Sequence, residues 1–176
     1  MTRTVRVATS DGDILSGELA ALGWTVEDRD ADTPLDLLIV APAPQPPTGH
    51  MWSPGDAMDA VAEVIDRIVA QRDRLRSRHG LAVVAVADSA QHAAVARAAG
   101  GVVSAALAMA VQVLAADWAP DVRCLLVVIG DAGPHRLAAA VHWLTTPGAP
   151  ALTGQTVDLA ALGHAVLRVP GAQPPG

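Results

Sequence analysis

The stretch GGVVSAALAMAVQVLAADWAPDVRCLLVV, residues 100–128, decides the fold. Residues 101–117 carry apolar or small side chains all round, which is typical of a helix buried on more than one side. The chain then enters VRCLLVVIG (122–130), a continuous apolar run of the kind found in strands covered on both faces. A helix that leads directly into a buried strand is the repeating unit of an α/β protein with a parallel sheet.

Strand-like and helix-like segments alternate along the rest of the chain. Strands are predicted at 4–9, 24–30, 35–44, 81–88 and within 154–163, and helices at 13–23, 56–78 and 134–146. We therefore expect a single α/β domain over residues 1–176, with a tail from about 165. The predicted architecture is three-layered, Rossmann-like and doubly wound, and its mostly parallel sheet has about six strands.

Composition limits the partners and the compartment. The net charge is −6 and no basic stripe is present, which argues against nucleic-acid binding. No run reaches the ~20 uninterrupted apolar residues of a bilayer span, and the N-terminus predicts a strand and a turn rather than a signal peptide. Cys124 is the single cysteine, so disulfides are not part of the fold. We expect a cytoplasmic protein that binds neither nucleic acid nor membrane.

Three stretches resemble the short-chain dehydrogenase/reductase family. They are LAADWAPDVRCLLVVIG (114–130), HWLTTPGAPALTGQTVDLAALG (142–163) and LDLLIVAPAP (35–44). The resemblance implies a sheet that binds a nicotinamide dinucleotide at the carboxyl ends of its strands. It also implies catalysis by a Tyr, a Lys four residues later and a Ser that orients the substrate.

The residues that carry this chemistry are missing, so the chain looks like a degenerate member of the family. The Tyr position falls on Gly100 and the Lys position on Ser104, and the chain contains neither Tyr nor Lys. Glycine cannot transfer a proton, and a hydroxyl cannot hold the positive charge that lowers the pKa of a neighbour. The glycine-rich cofactor loop is reduced to Ser10 and Gly12 within ATSDGDILSG (8–17). We expect no cofactor on this chain, and NADP(H) or NAD(H) on a partner subunit.

Two family segments are also shortened, so the chain looks truncated. Only about six residues separate the second strand from LDLLIVAP, where the family has a helix-strand-helix that completes the adenosine pocket. IGDAGPHRL (129–137) passes almost directly from strand to helix, where the family inserts a mobile lid.

The parts that remain include the two long helices by which family members pair into a four-helix bundle. We expect a complete reductase subunit to dock there, with a homodimer as the fallback. Small residues would allow close helix approach. The predicted interface residues are Met58, Val61, Ile65, Ile68, Val103, Leu107, Val111, Leu114 and Trp118.

The expected function is therefore that of an inactive subunit supporting an NAD(P)H-dependent ketoreductase or dehydrogenase. The resemblance and the GC-rich character of the composition suggest bacterial secondary metabolism, such as polyketide or aminocoumarin-like antibiotic biosynthesis. One alternative is a non-redox enzyme, a cyclase or dehydratase, built on Asp88, Ser89, His92 and Ser104. Another is a homodimeric binding protein. The six histidines show no metal-ligand spacing, so no metal site is expected.

Overall fold

The structure, a computed structural model, describes residues 3–9, 12–27, 32–42, 53–87, 94–130, 133–146 and 152–159. Within them six strands form one sheet in the order β2-β1-β3-β4-β5-β6, and all neighbouring strands are parallel. The strands are β1 (Arg3–Ala8), β2 (Trp24–Val26), β3 (Leu37–Val40), β4 (Leu81–Val86), β5 (Arg123–Val128) and β6 (Gln155–Asp158). The helices are α1 (Gly12–Ala21), α2 (Pro54–Val69), α3 (Arg72–Arg76), α4 (Ala94–Trp118) and α5 (Gly133–Leu144). The predicted Rossmann-like fold is confirmed.

Helices cover both faces of the sheet, which explains why its central strands are apolar throughout. Alternate residues of β4 enter different hydrophobic clusters, because side chains alternate between the faces of a strand. Val84 packs with Leu107 of α4 in the cluster that α2 and α4 cover. Val83 packs with Val141 of α5 in the cluster that α1 and α5 cover. All six residues of β4 are consequently buried.

The predicted helix over 56–78 is wrong in one respect, because it is two helices. A capping box between Ser53 and Asp56 starts α2, which ends at Val69. Gln71, with φ −105° and ψ 4°, then interrupts the helix before α3. A continuous helix would run about 35 Å, well beyond the ~20 Å of a six-residue strand, so the chain turns back toward β4. The turn also places Leu75 fully in the core.

The helix predicted to begin at residue 101 begins earlier, at Ala94. The glycine pair at 100 and 101 lies inside it without ending it. A glycine in a helix interior costs only about 1 kcal/mol relative to alanine, which the rest of a 25-residue helix readily offsets. The predicted tail from about residue 165 lies outside the described residues.

Arg74 of α3 organises the short connection between β2 and β3. Val26 at the end of β2 and Leu37 at the start of β3 both lie opposite Val5, so the connection only has to cross β1. The Arg74 guanidinium forms an ion pair with the largely buried Glu27 and donates a hydrogen bond of 2.7 Å to the Thr33 carbonyl. Arg74 therefore contacts both ends of the connection between β2 and β3, which is the segment that the sequence predicts to be shortened relative to the family.

Candidate functional site

The two positions predicted to correspond to the reactive Tyr and Lys lie one turn apart on α4. Gly100 contributes no side chain, and Ser104 is half-buried. The alternative catalytic residues Asp88, Ser89 and His92 fall between β4 and α4 and lie outside the described residues. Neither described position can hold a charge or exchange a proton near neutral pH.

The turn between β1 and α1 corresponds to the cofactor loop of the resemblance. Gly12 begins α1, and a Cβ placed on it would meet its nearest atoms, on Thr9 and Val7, at 3.9 Å, an ordinary contact. Asp13 is exposed in the first turn of α1, where backbone N–H groups would otherwise favour an anion. Ser10, the other predicted loop residue, lies outside the described residues. The described part of this turn keeps one glycine, Gly12, and carries the exposed carboxylate of Asp13 directly after it.

One buried atom at this turn has no hydrogen-bond partner in the described part of the chain. It is the Thr9 hydroxyl oxygen, which lies at the end of β1. The Thr9 carbonyl accepts a 3.2 Å hydrogen bond from the Gly12 N–H. The turn contains no other feature among its described residues that fits a phosphate group.

The described titratable groups have structural roles. The Trp24 indole donates a 3.1 Å hydrogen bond to Nδ1 of His142, and burial, with the nearby Arg3 charge, lowers the pKa of that imidazole. Burial raises the pKa of the Cys124 thiol to about 12, so it stays protonated and unreactive. His135 contacts Glu18 across α1 and α5 at 2.8 Å. Among the described residues no group of three metal-binding side chains comes together.

Most of the predicted interface residues lie in the core of the chain itself, which corrects that prediction. Six of the nine are buried under α2, α4 and the sheet, and they are Val61, Ile68, Val103, Leu107, Val111 and Trp118. Ile65 and Leu114 are half-buried, and Met58 alone is clearly exposed. The apolar stripe that the sequence pattern emphasises is the one that faces the sheet, so it supplies little area to a partner.

Other apolar side chains of the same two helices are exposed. Among the described residues six large hydrophobic side chains are exposed, and five of them lie on α2 and α4. We call these five the outer apolar surface: Met58 (60% exposed), Val69 (48%), Val102 (59%), Met109 (69%) and Val113 (67%). The sixth, Ile14, lies on α1 beneath the opposite face of the sheet.

Small residues complete this surface on α4. Its other exposed positions between 101 and 116 are Gly101, Ala105, Gln112 and Ala116. Gln112 is the one polar side chain among them. Sequence reasoning missed Val102, Met109 and Val113, although their spacings of seven and four residues were a detectable signal of a second stripe.

The helix α4 also has the length and hydropathy of a membrane span. Within the described residues, Gly101–Trp118 is the one segment that meets both criteria, with a mean hydropathy of 1.6 and 28% of its residues buried. Its buried face packs on β4 and β5 as a core helix does. The helix therefore has one apolar face that the sheet covers and a second that nothing in this chain covers among the described residues.

A small cavity of about 140 Å³ lies at one end of this surface, between α3 and the end of α4. The Arg72 guanidinium lies 5.4 Å from the Trp118 ring centre and 3.7 Å from Asp117. Arg76 forms a 2.7 Å ion pair with Asp121. The charges that line the cavity are paired, so they form a polar rim rather than a binding site for an ion.

Comparison with solved structures places the fold among reductases. Enoyl-[acyl-carrier-protein] reductase (NADH) from Aquifex aeolicus VF5 superposes with a TM-score of 0.67 at 15% identity, covering 90% of this chain and 94% of that chain. An oxidoreductase of the short-chain dehydrogenase/reductase family from Burkholderia thailandensis gives 0.64 at 16% identity, covering 90% and 91%. The chain shares the fold of that family.

YwfH, an NADPH-dependent reductase involved in bacilysin biosynthesis, superposes with a TM-score of 0.70 at 14% identity and covers 90% of this chain and 96% of that chain. No family model and no curated protein matches the sequence. Identities this low establish the shared fold and leave the chemistry of this chain to be argued from its own residues.

Proposed function

We propose that the chain is a catalytically inactive subunit that docks through its outer apolar surface onto a complete NAD(P)H-dependent reductase and supports it. One observation carries the proposal: five of the six exposed large hydrophobic side chains in the described part of the chain lie on α2 and α4. Several exposed large apolar side chains on two helices that pack against each other indicate an interaction site. A second pair of helices packed on it would form a four-helix bundle.

The absence of catalytic side chains supports the inactive role. Gly100 and Ser104 replace the Tyr and Lys that the resemblance requires, and no Tyr or Lys elsewhere in the chain can substitute. Reduction of a carbonyl needs a proton donor whose pKa is tuned by a nearby cation. The partner must therefore supply the proton donor, the cation and the hydride.

The cofactor belongs to the partner in this proposal. Asp13 at the first turn of α1 opposes a pyrophosphate electrostatically, and Gly12 is the single glycine between Thr9 and Ser16. NADP(H) or NAD(H) would sit on the complete subunit, which would have the fold of the NADH- and NADPH-named reductases that resemble this chain. No step of the reaction is assigned to residues of this chain.

The setting that we propose is a cytoplasmic pathway of bacterial secondary metabolism. The involvement of YwfH in bacilysin biosynthesis is one case of this fold in antibiotic production. The proposed pairing would let the inactive subunit stabilise the active one by covering apolar surface on both, since burial of such surface is the main driving force of stable association.

Co-expression with the complete reductase encoded nearest to this chain tests the proposal. The expected result is a stoichiometric complex whose NAD(P)H oxidation exceeds that of the reductase expressed alone, while this chain alone neither oxidises NAD(P)H nor binds it. Turnover by this chain alone would contradict the inactive role. Sedimentation of the isolated chain with lipid vesicles, abolished by Val113→Asp, would show that a membrane covers the surface instead.

A further inference from the structure

Exposed carboxylates form one edge of α2, beside the outer apolar surface. Asp59, Glu63 and Asp66 are all exposed and recur at spacings of three and four residues, which places them on one side of the helix. Glu63 is paired with Arg67 on the same helix. Asp59 and Asp66 form no ion pair within the described part of the chain. We call Asp59, Glu63 and Asp66 the acidic edge.

A single amide interrupts the apolar face of α4. Gln112 is the one polar side chain among the exposed positions from Gly101 to Ala116, and it forms no hydrogen bond within the described residues. An amide covered by a partner without a hydrogen bond costs about 1–3 kcal/mol. Whatever covers this face must therefore present a donor or an acceptor opposite Gln112, as single polar residues in helical interfaces do when they specify a partner.

A second copy of this chain does not meet this requirement when the contact is centred on the exposed face of α4. In a two-fold contact each helix packs antiparallel on its counterpart about a central point. The exposed face of α4 is centred near Met109, so Gln112 would lie opposite Ala105 or Ala106 of the second copy, which have no side-chain hydrogen-bonding group. In this register the Gln112 amide of each copy would face no hydrogen-bonding side chain of the other copy.

The acidic edge gives the same result on α2. Asp59 and Asp66 are placed symmetrically about the middle of Pro54–Val69. Antiparallel pairing of α2 with itself would bring each Asp59 against Asp66 of the second copy. Like charges placed together across an interface disfavour that partner.

We propose that the outer apolar surface selects a different chain whose docking helices carry three matching features. These are small apolar residues at the centre, a hydrogen-bonding side chain opposite Gln112, and Lys or Arg along the edge that faces Asp59 and Asp66. This inference rests on the proposed function and adds the chemistry of the partner to it. The edge sets which chain binds, and the apolar centre sets how tightly it binds.

A charge-reversed copy of the chain provides a partner of known composition. Sedimentation equilibrium would compare the wild type, the variant Asp59→Arg/Asp66→Arg, and an equimolar mixture of the two. The dissociation constant of the mixed pair should be at least about tenfold lower than that of either protein alone, because the arginines of one copy face the carboxylates of the other. The difference should shrink in about 0.5 M salt.

Two further variants make the comparison specific. Asp13→Arg/Asp32→Arg reverses the same number of exposed charges away from α2 and α4, and its mixture with the wild type should show no gain. Gln112→Leu removes the unpaired amide, so this variant should self-associate about tenfold more tightly than the wild type does. Urea unfolding of each variant establishes that it is folded.

The outcomes separate this inference from the proposed function. A wild-type homodimer as tight as the mixed pair, dissociated by Val113→Asp, would overturn the selectivity and leave the docking surface intact. A mixed pair no tighter than its components would also overturn the selectivity. Equal association of Val113→Asp and Ile14→Asp in every mixture would overturn the docking surface itself.

Discussion

In the proposed complex, replacement of Val113 by aspartate should separate this chain from the reductase subunit without unfolding it. Val113 is 67% exposed and belongs to the outer apolar surface. Complete burial of a valine contributes about 1.5–3 kcal/mol, so covering two thirds of it contributes about 1–2 kcal/mol. A carboxylate enclosed in the contact without a partner costs a further ~3–5 kcal/mol. Together these losses correspond to a dissociation constant raised about a thousandfold or more.

Ile14→Asp is the matched control for this variant. Ile14 is 60% exposed on α1, which packs on the opposite face of the sheet. Both substitutions place a carboxylate at an exposed position on a helix. The free energy of unfolding of each variant should therefore stay within about 0.5 kcal/mol of that of the wild type. Biolayer interferometry against the immobilised reductase subunit measures both affinities. Wild-type affinity for Val113→Asp, or an equal loss for Ile14→Asp, would refute the assignment of the surface.

Three further predictions concern the chain alone. Arg74→Met should lower the free energy of unfolding in urea by about 3–5 kcal/mol, since it leaves the Glu27 carboxylate buried without its partner. The control Arg67→Met, on the exposed face of α2, should change the free energy of unfolding by less than ~1 kcal/mol. Equal effects of the two substitutions would contradict the role of the Arg74–Glu27 ion pair. The lowered pKa of His142 means that the unfolded chain takes up a proton before the folded chain does, so stability should fall as the pH drops below 6.5. His142→Gln should reduce the change in the urea midpoint between about pH 7.5 and pH 5.5. An unchanged pH dependence of the urea midpoint in His142→Gln would show that His142 does not cause it. Gly12→Ala should leave the chain as stable as the wild type or up to about 1 kcal/mol more stable, because the added Cβ meets only ordinary contacts at 3.9 Å. It should not change the activity of the complex. Loss of that activity would indicate a cofactor at this turn.

The pattern of apolar residues was sufficient to predict the fold. Runs buried on both faces identified β3, β4 and β5, and the alternation with helices required a parallel sheet. The break between α2 and α3 could not be predicted, since Ala70 and Gln71 are both favourable in helices and the turn there depends on where the sheet ends. The start of α4 was misplaced because a glycine pair normally marks a boundary, and a long helix tolerates it.

The predicted interface residues lie mostly on the buried sides of α2 and α4, whereas the exposed apolar side chains lie elsewhere on the same helices. α4 is apolar all round, so two stripes with nearly the same spacing are present in its sequence. Val103, Leu107 and Val111 form the stripe that packs on the sheet, and Val102 and Met109 belong to the stripe that is exposed. Only the position of the helix relative to the sheet distinguishes them, and this depends on contacts far apart in the sequence. The missing Tyr and Lys, by contrast, are evident from the residues alone.

Native mass spectrometry of the tagged chain, purified from the cells that make it, tests the central claim most directly. The account predicts a complex that contains this chain and a second protein of the same fold. That second protein should carry the catalytic Tyr and Lys, with one bound dinucleotide for each copy of the second protein and none for this chain. A homo-oligomer of this chain, or a dinucleotide that stays with this chain when the complex is dissociated, would contradict it.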